Sequence, residues 1–124
     1  MRGIKINPAD RTITEVDVPN PNKSLQGLYG LIGCDLVELV ELDSDIVMVC
    51  DEEGKLKPVT SAFTFFGNEE LVVAGNAVIL GGDADRFKAL HENKASFDMI
   101  VQWVDPGDVP EPKFTFIPLT DERI

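Results

Sequence analysis

Three consecutive carboxylates, Asp51, Glu52 and Glu53, stand in VMVCDEEGKLKPV between an apolar run and a lysine-flanked one. Acids so placed could ligate a metal ion. A calcium loop needs ligands at alternating positions, a glycine at the sixth and a bidentate acid at the twelfth, and neither DSDIVMVCDEEG nor DEEGKLKPVTSA has that layout. The turn chemistry is more complete. Asp51 can accept a hydrogen bond from the backbone ahead of it, Gly54 can supply a left-handed position, and Lys55 and Lys57 can screen the acids. The expectation is a four-residue hairpin turn from IVMVC into KLKPV, fixed by Asp51 and Gly54, with Glu52 and Glu53 exposed and no metal bound.

Thiol and imidazole chemistry fares no better. His91 is the only histidine, and Cys34 and Cys50 are the only thiols. A nucleophilic pair would need His91 beside one of them, and a zinc site would need two further ligands from carboxylates. Cys34 follows a helix-ending glycine and Cys50 ends an apolar strand, both settings for a small buried hydrophobe. Carboxylate pairs such as Glu38 with Glu41, or Asp105 with Asp108, sit in exposed contexts where no raised pKa is expected. GGDADR lacks a GxGxxG pattern and no GKS or GKT follows, so Gly81 and Gly82, with Gly75 and Asn76 before them, are only a weak candidate segment for an anion or small ligand. No catalytic constellation and no cofactor emerge.

The elements that must carry these residues can be read along the chain. GIKIN and RTITEV alternate around NPAD as a β-hairpin, with Ile4, Ile6, Ile13 and either Val16 or Val18 inward and a phase change near Glu15. NKSLQGLYGLIG reads as a helix, capped by Asn22, whose Leu25, Leu28, Tyr29 and Ile32 share one face. Its Gly27 and Gly30 would permit close approach to a sheet. Gly33 stops it, Asp35 to Leu42 follows as a strand, and DSD turns into the central strand IVMVC. Further on, Phe63, Phe65 and Phe66 are expected to bury one side. LVVAGNAVIL makes one or two strands broken at Ala74 to Asn76. GGDADRFKALHENK should contain a short helix with Asp83 as N-cap and Phe87, Leu90 and His91 inward. ASFDMIVQWV alternates as a strand with Phe97, Met99, Val101 and Trp103 on one face. A loop from Asp105 to Lys113 then leads to a last strand, FTFIPL. The class expected is α+β, a small single domain over residues 1–124 with a mostly antiparallel sheet and one or two short helices packed on it.

Composition limits the partners. The chain has 124 residues, and 22 Asp and Glu against 11 Lys and Arg leave a formal charge of −11. Such a surface repels phosphate backbones and anionic membranes, so direct nucleic-acid or membrane binding is disfavoured. A basic protein partner is attracted. The aromatic residues could stack on bases, yet no basic groove accompanies them. Two cysteines and no apolar leader point to a reducing, cytoplasmic setting, and no apolar run approaches the ~18 residues of a membrane helix.

NPADRTITEV, GLIGCDLVELVEL, VCDEEGKLKPV and AGNAVIL together resemble a family of small bacterial and bacteriophage proteins, domain of unknown function 3846, and FIPLTDERI resembles that family's end. The segment from Asp83 to Pro112 looks like an elaboration on the usual pattern. The resemblance implies a phage, plasmid or bacterial accessory setting and no catalytic mechanism.

Two functions follow as expectations. The first is a non-enzymatic accessory protein that engages a basic host protein through an acidic surface, one version of which imitates the charge of DNA. Its contact residues would be Glu38, Glu41, Asp43, Asp45, Asp51, Glu52, Glu53, Glu69 and Glu70, with a further patch from Asp105 to Glu111. The second is a homo-oligomer that binds a nucleotide or metabolite between subunits or under Gly75 to Gly82.

Overall fold

The computed structural model describes residues 1–54 and 56–108. The expected strand FTFIPL lies outside them, as does Glu111. Two antiparallel sheets carry the fold, which is α+β. The larger has the order β2-β1-β7-β4-β3, with β8 also paired to β7, and the smaller has the order β6-β5-β9.

The chain opens with β1 (Arg2–Asn7) and β2 (Thr12–Asp17), a hairpin closed through Pro8 with Arg11 at φ 55°. Ile4, Ile6 and Ile13 enter one core, while Val18 and the half-buried Val16 enter another on the opposite face of the sheet. No phase change at Glu15 is needed. Plain alternation suffices, because this sheet is covered on both sides and each parity of residue finds its own core.

Helix α1 (Gln26–Ile32) covers the second core with Leu28 and Ile32 buried and Leu25 and Tyr29 packed beside them, against β4 and β7. Gly33 ends it at φ 83°, its N–H donating to the Tyr29 carbonyl at 2.7 Å. Three details of the helix differ from expectation. Asn22 is not the cap: its side chain accepts from the Phe87 N–H at 2.8 Å and donates to the Phe87 carbonyl at 2.9 Å. The first turn is instead served by Ser24 Oγ, which accepts from the Gln26 N–H. Gly27 is tight against Pro19 rather than the sheet, and Gly30 faces open space.

Strand β3 (Val37–Asp43) pairs with β4 (Ile46–Asp51), which is central between β3 and β7. Asp45, at φ 66°, closes their turn, and the register slips between Glu41 and Asp43. In the small sheet, β5 (Ala62–Phe65) and β6 (Asn68–Ala74) form a hairpin. Phe63 and Phe65 are buried edge to face, but Phe66 is in the turn and 69% exposed. Gly75, at φ 86°, carries the chain across into β7 (Ala77–Gly82), which is buried throughout.

The region after β7 departs most from expectation. No helix forms in GGDADRFKALHEN, before Lys94. Asp83 accepts from the N–H groups of Asp85 and Arg86 at 2.9 and 3.1 Å, and this turn returns the chain as β8 (Phe87–Lys88) against β7. Phe87 and Leu90 are buried, whereas His91 is exposed. ASFDMIVQWV is not one strand but α2 (Lys94–Ile100) followed by β9 (Val101–Val104). Asn93 Oδ1 caps α2 through the Ala95 N–H, and Lys94 reaches Asp98 at 2.9 Å one turn on. These local bonds favour a helix. Phe97 is accordingly buried in the first core while Met99 is 83% exposed. A 3-10 turn at Pro106–Asp108 follows.

Candidate functional site

The Asp51 turn is built as an anchored loop, not as a hairpin. Asp51 Oδ1 accepts from the Glu53 N–H at 2.9 Å, its Oδ2 accepts from Lys57 Nζ at 2.7 Å, and its carbonyl accepts from the Gly54 N–H. The side chain of Asp51 is only 11% exposed. Its carboxylate, first through the hydrogen bond, holds the Lys57 ammonium above the usual lysine range. Residues 56–61 form no strand, so KLKPV does not return along IVMVC. Gly54 is not left-handed either. A Cβ there would come within 2.7 Å of the Ala74 carbonyl of β6, so the position is small because two segments touch.

The other chemical candidates separate in space. Cys34 is buried in the α1-side core and Cys50 in the core between the sheets, and neither forms a disulfide. Burial first, and then the charge of Asp51, push the Cys34 thiol up, which keeps it protonated and unreactive at neutral pH. Among the described residues, no three His, Cys, Asp or Glu side chains are grouped so as to hold a metal ion. Glu38 and Glu41 lie at positions of opposite parity on β3, which sends their side chains to opposite faces. The anion role considered for Gly81 and Gly82 fails on geometry. Both are buried in β7, the Gly82 N–H donates to the Asp45 carbonyl at 2.9 Å, and no helix follows. A Cβ at Gly81 would meet the Ala89 carbonyl at 2.7 Å, so these glycines admit β8. Gly75 makes the crossing between sheets, its N–H bonded to the Ser61 carbonyl, and Asn76 donates to the Ile32 carbonyl at 3.5 Å.

What the structure does bring together is a strip along β3. This strand ends the large sheet among the described residues. Glu38 and Glu41 lie along it, Asp43 and Asp45 at its turn, and Glu52 and Glu53 at its other end. No ion pair among the described residues reaches Glu38, Glu41, Asp43, Glu52 or Glu53, while Asp45 has Lys88 at 3.5 Å. Glu69 and Glu70 are exposed on β6, where Glu69 accepts from the Gly67 N–H. Asp105 belongs elsewhere: it faces Arg11 at 3.5 Å.

Two clefts open beside this strip, between the sheets. One, of about 250 Å³, lies against Glu38, Val40, Met48, Leu56 and Leu71. The other, of about 260 Å³, is walled by Leu42, Ile46, Phe65, Phe97 and Ile100, with Asp43 and Asn68 at its margin. The sequence shows none of this apolar lining as a site, because each residue reads there as ordinary core.

The fold and strip define an α+β protein whose large sheet ends, among the described residues, at an acidic strand. The chain belongs to the family Domain of unknown function (DUF3846), which it matches over residues 1–103, including the first part of the Asp83 to Pro112 segment. It is 32% identical over 76 residues to Protein PsiB of Rhizobium leguminosarum bv. phaseoli, covering 61% of this chain and 55% of that one. It is 28% identical over 78 residues to Uncharacterized protein y4iR of Sinorhizobium fredii, covering 63% of this chain and 47% of that one. The match thus spans about half the length of these curated relatives. No solved structure matches the chain. No helix among the described residues is long and apolar enough to cross a membrane.

Proposed function

We propose that the protein is a non-enzymatic accessory module that binds a basic protein partner through the strip along β3. The observation that supports this best is the absence of cationic partners for Glu38, Glu41 and Asp43 among the described residues, on the strand that ends the large sheet. Charges left unpaired and solvated keep their attraction for an incoming partner and speed its arrival. A DNA-binding protein is the finer form of this partner, and competition by duplex DNA for the complex tests that form separately.

The small-molecule reading has less support. The space beside Gly81 and Gly82 is filled by β8, the two apolar clefts next to β3 are each smaller than the ~300 Å³ at which ordinary ligand pockets begin, and the hollow of about 400 Å³ at the β3–β4 turn is lined by Glu41, Asp43, Asp45 and Asp83, which repel an anionic ligand. The test of the leading reading is recovery of a partner from the source cells at low salt by the native chain and by a Glu41→Lys, Asp43→Lys variant. The expected result is a complex with the native chain that salt dissociates and the variant fails to form. Equal retention by both, or none by either, contradicts it.

A further inference from the structure

The backbone of β3 offers more than charge. The Glu52 N–H donates to the Leu36 carbonyl at 3.1 Å, and the register continues through Glu38 with Cys50 and Val40 with Met48. Bonded and non-bonded pairs alternate along an antiparallel ladder. Leu36, Glu38 and Val40 therefore turn their backbone groups toward β4, and Val37, Leu39 and Glu41 turn theirs away from the sheet. β3 has neither proline nor lysine, the residues that most often blunt an edge against pairing, and its register runs unbroken from Val37 to Glu41.

The side-chain pattern fits the same use. Val40 lines one cleft and Leu42 the other, both on the face toward the small sheet. A strand laid along β3 would place every second side chain over these clefts. The alternate side chains would lie on the α1 face, which bears Glu41, while Glu38, Asp43 and Glu52 stand at the margins of the clefts. Phe66 and Met99, both largely exposed, extend the apolar surface near Ile100, whose carbonyl accepts from the Phe66 N–H.

Resting on the acidic-partner reading above, we infer that β3 receives an extended segment of the partner by strand addition, with apolar residues alternating with lysine or arginine. The apolar side chains enter the two clefts, and the cations run along the α1 side beside Glu41, within the field of the acids at the cleft margins. Charge decides the occupant. A second copy of a chain with net charge −11 would set like charges side by side, whereas a basic segment neutralises them.

The test uses the full chain and a pool of octapeptides with Lys or Arg at odd positions and Val, Ile, Leu or Phe at even ones. A second pool carries the same residues with alternate backbone nitrogens methylated. Amide exchange is followed residue by residue. The first pool should slow exchange at Val37, Leu39 and Glu41 by about tenfold or more, and the methylated pool should not. Glu41→Pro, which deletes an outward N–H while leaving the β4 ladder intact, should bind at least about tenfold more weakly than Glu41→Gln, since both lose the charge. Equal, salt-sensitive binding of both pools would overturn strand addition and leave the acidic-partner reading standing. Binding of neither pool overturns strand addition, and partner recovery then judges the broader reading alone. Protection of the three amides in the free protein, by a second copy or by residues 109–124, also overturns it.

Discussion

Among the described residues, the large sheet has two outer strands that resemble each other in composition and differ in how their charges are met. β2, TITEVD, and β3, VELVELD, both mix apolar with acidic or polar residues and contain no cation. On β2, Glu15 is held by Arg2 at 2.9 Å and Asp17 by the N-terminal ammonium at 2.7 Å. The Arg2 guanidinium, first by its hydrogen bond, keeps the Glu15 carboxyl below the usual range. Arg2 also donates to the carbonyls of Leu90 and Glu92, tying β1 to the segment before α2, and α2 packs against β2. β3 has none of these attachments among the described residues. The difference lies in the neighbour strand: β1 supplies Arg2 and the chain's amino group, whereas β4, IVMVC with Asp51, supplies no cation.

Phe97→Ala tests the cover on the β2 side with the largest expected effect. It removes a buried ring that fixes α2 beneath the sheet, and a loss of about 3–5 kcal/mol in denaturant unfolding is expected. Faster amide exchange in α2 and β2 should accompany it. Arg2→Ala should cost about 2 kcal/mol, because two backbone carbonyls and Glu15 lose a charged donor together. On the other strand, Glu41→Lys with Asp43→Lys should change stability by no more than about 0.5 kcal/mol per site, while the same pair abolishes capture of a basic partner. Glu15→Gln should leave that capture unchanged. If Glu15→Gln and the β3 variant weaken capture equally, the contrast between the two strands is without functional meaning.

The smallest effect concerns the end of β3 beside Cys34. A thiol whose folded pKa is raised contributes stability that is full below the unfolded value and is lost as pH rises through the folded one. The denaturant midpoint should therefore fall as pH climbs above about 8.5, and Cys34→Ala should flatten that fall. At neutral pH, Cys34 should react with a thiol reagent far more slowly in the native chain than in denaturant.

The first half of the fold is legible because its signals are local: Pro8 in the first turn, Gly33 after α1, the continuous apolar run of β4. Beyond Gly82 the determinants are remote. Asn22 clamps Phe87 from 65 residues away, and Gly81 is small because the Ala89 carbonyl passes over it. The first lies outside any short window, and the second is a backbone contact that no residue type in the segment announces. ASFDMIVQWV fits both periods, since Phe97 and Val101 are two residues' spacing twice over and also one helical turn apart. The cap at Asn93 and the Lys94 to Asp98 pair decide for the helix, and both were available in the sequence. The acids of the strip are equally visible there. What the sequence hides is which of them meet a cation, because Arg2 reaches Glu15 across a sheet and, among the described residues, nothing comparable reaches Glu41.

Residue-resolved amide exchange of the free full chain, repeated with the alternating basic octapeptides, tests the claim that β3 is an open receiving edge most directly. The predicted result is fast exchange at Val37, Leu39 and Glu41 beside slow exchange at Glu38 and Val40, with the fast set slowed by peptide. Uniform protection along β3 in the free chain, or peptide protection confined to another strand, would contradict it.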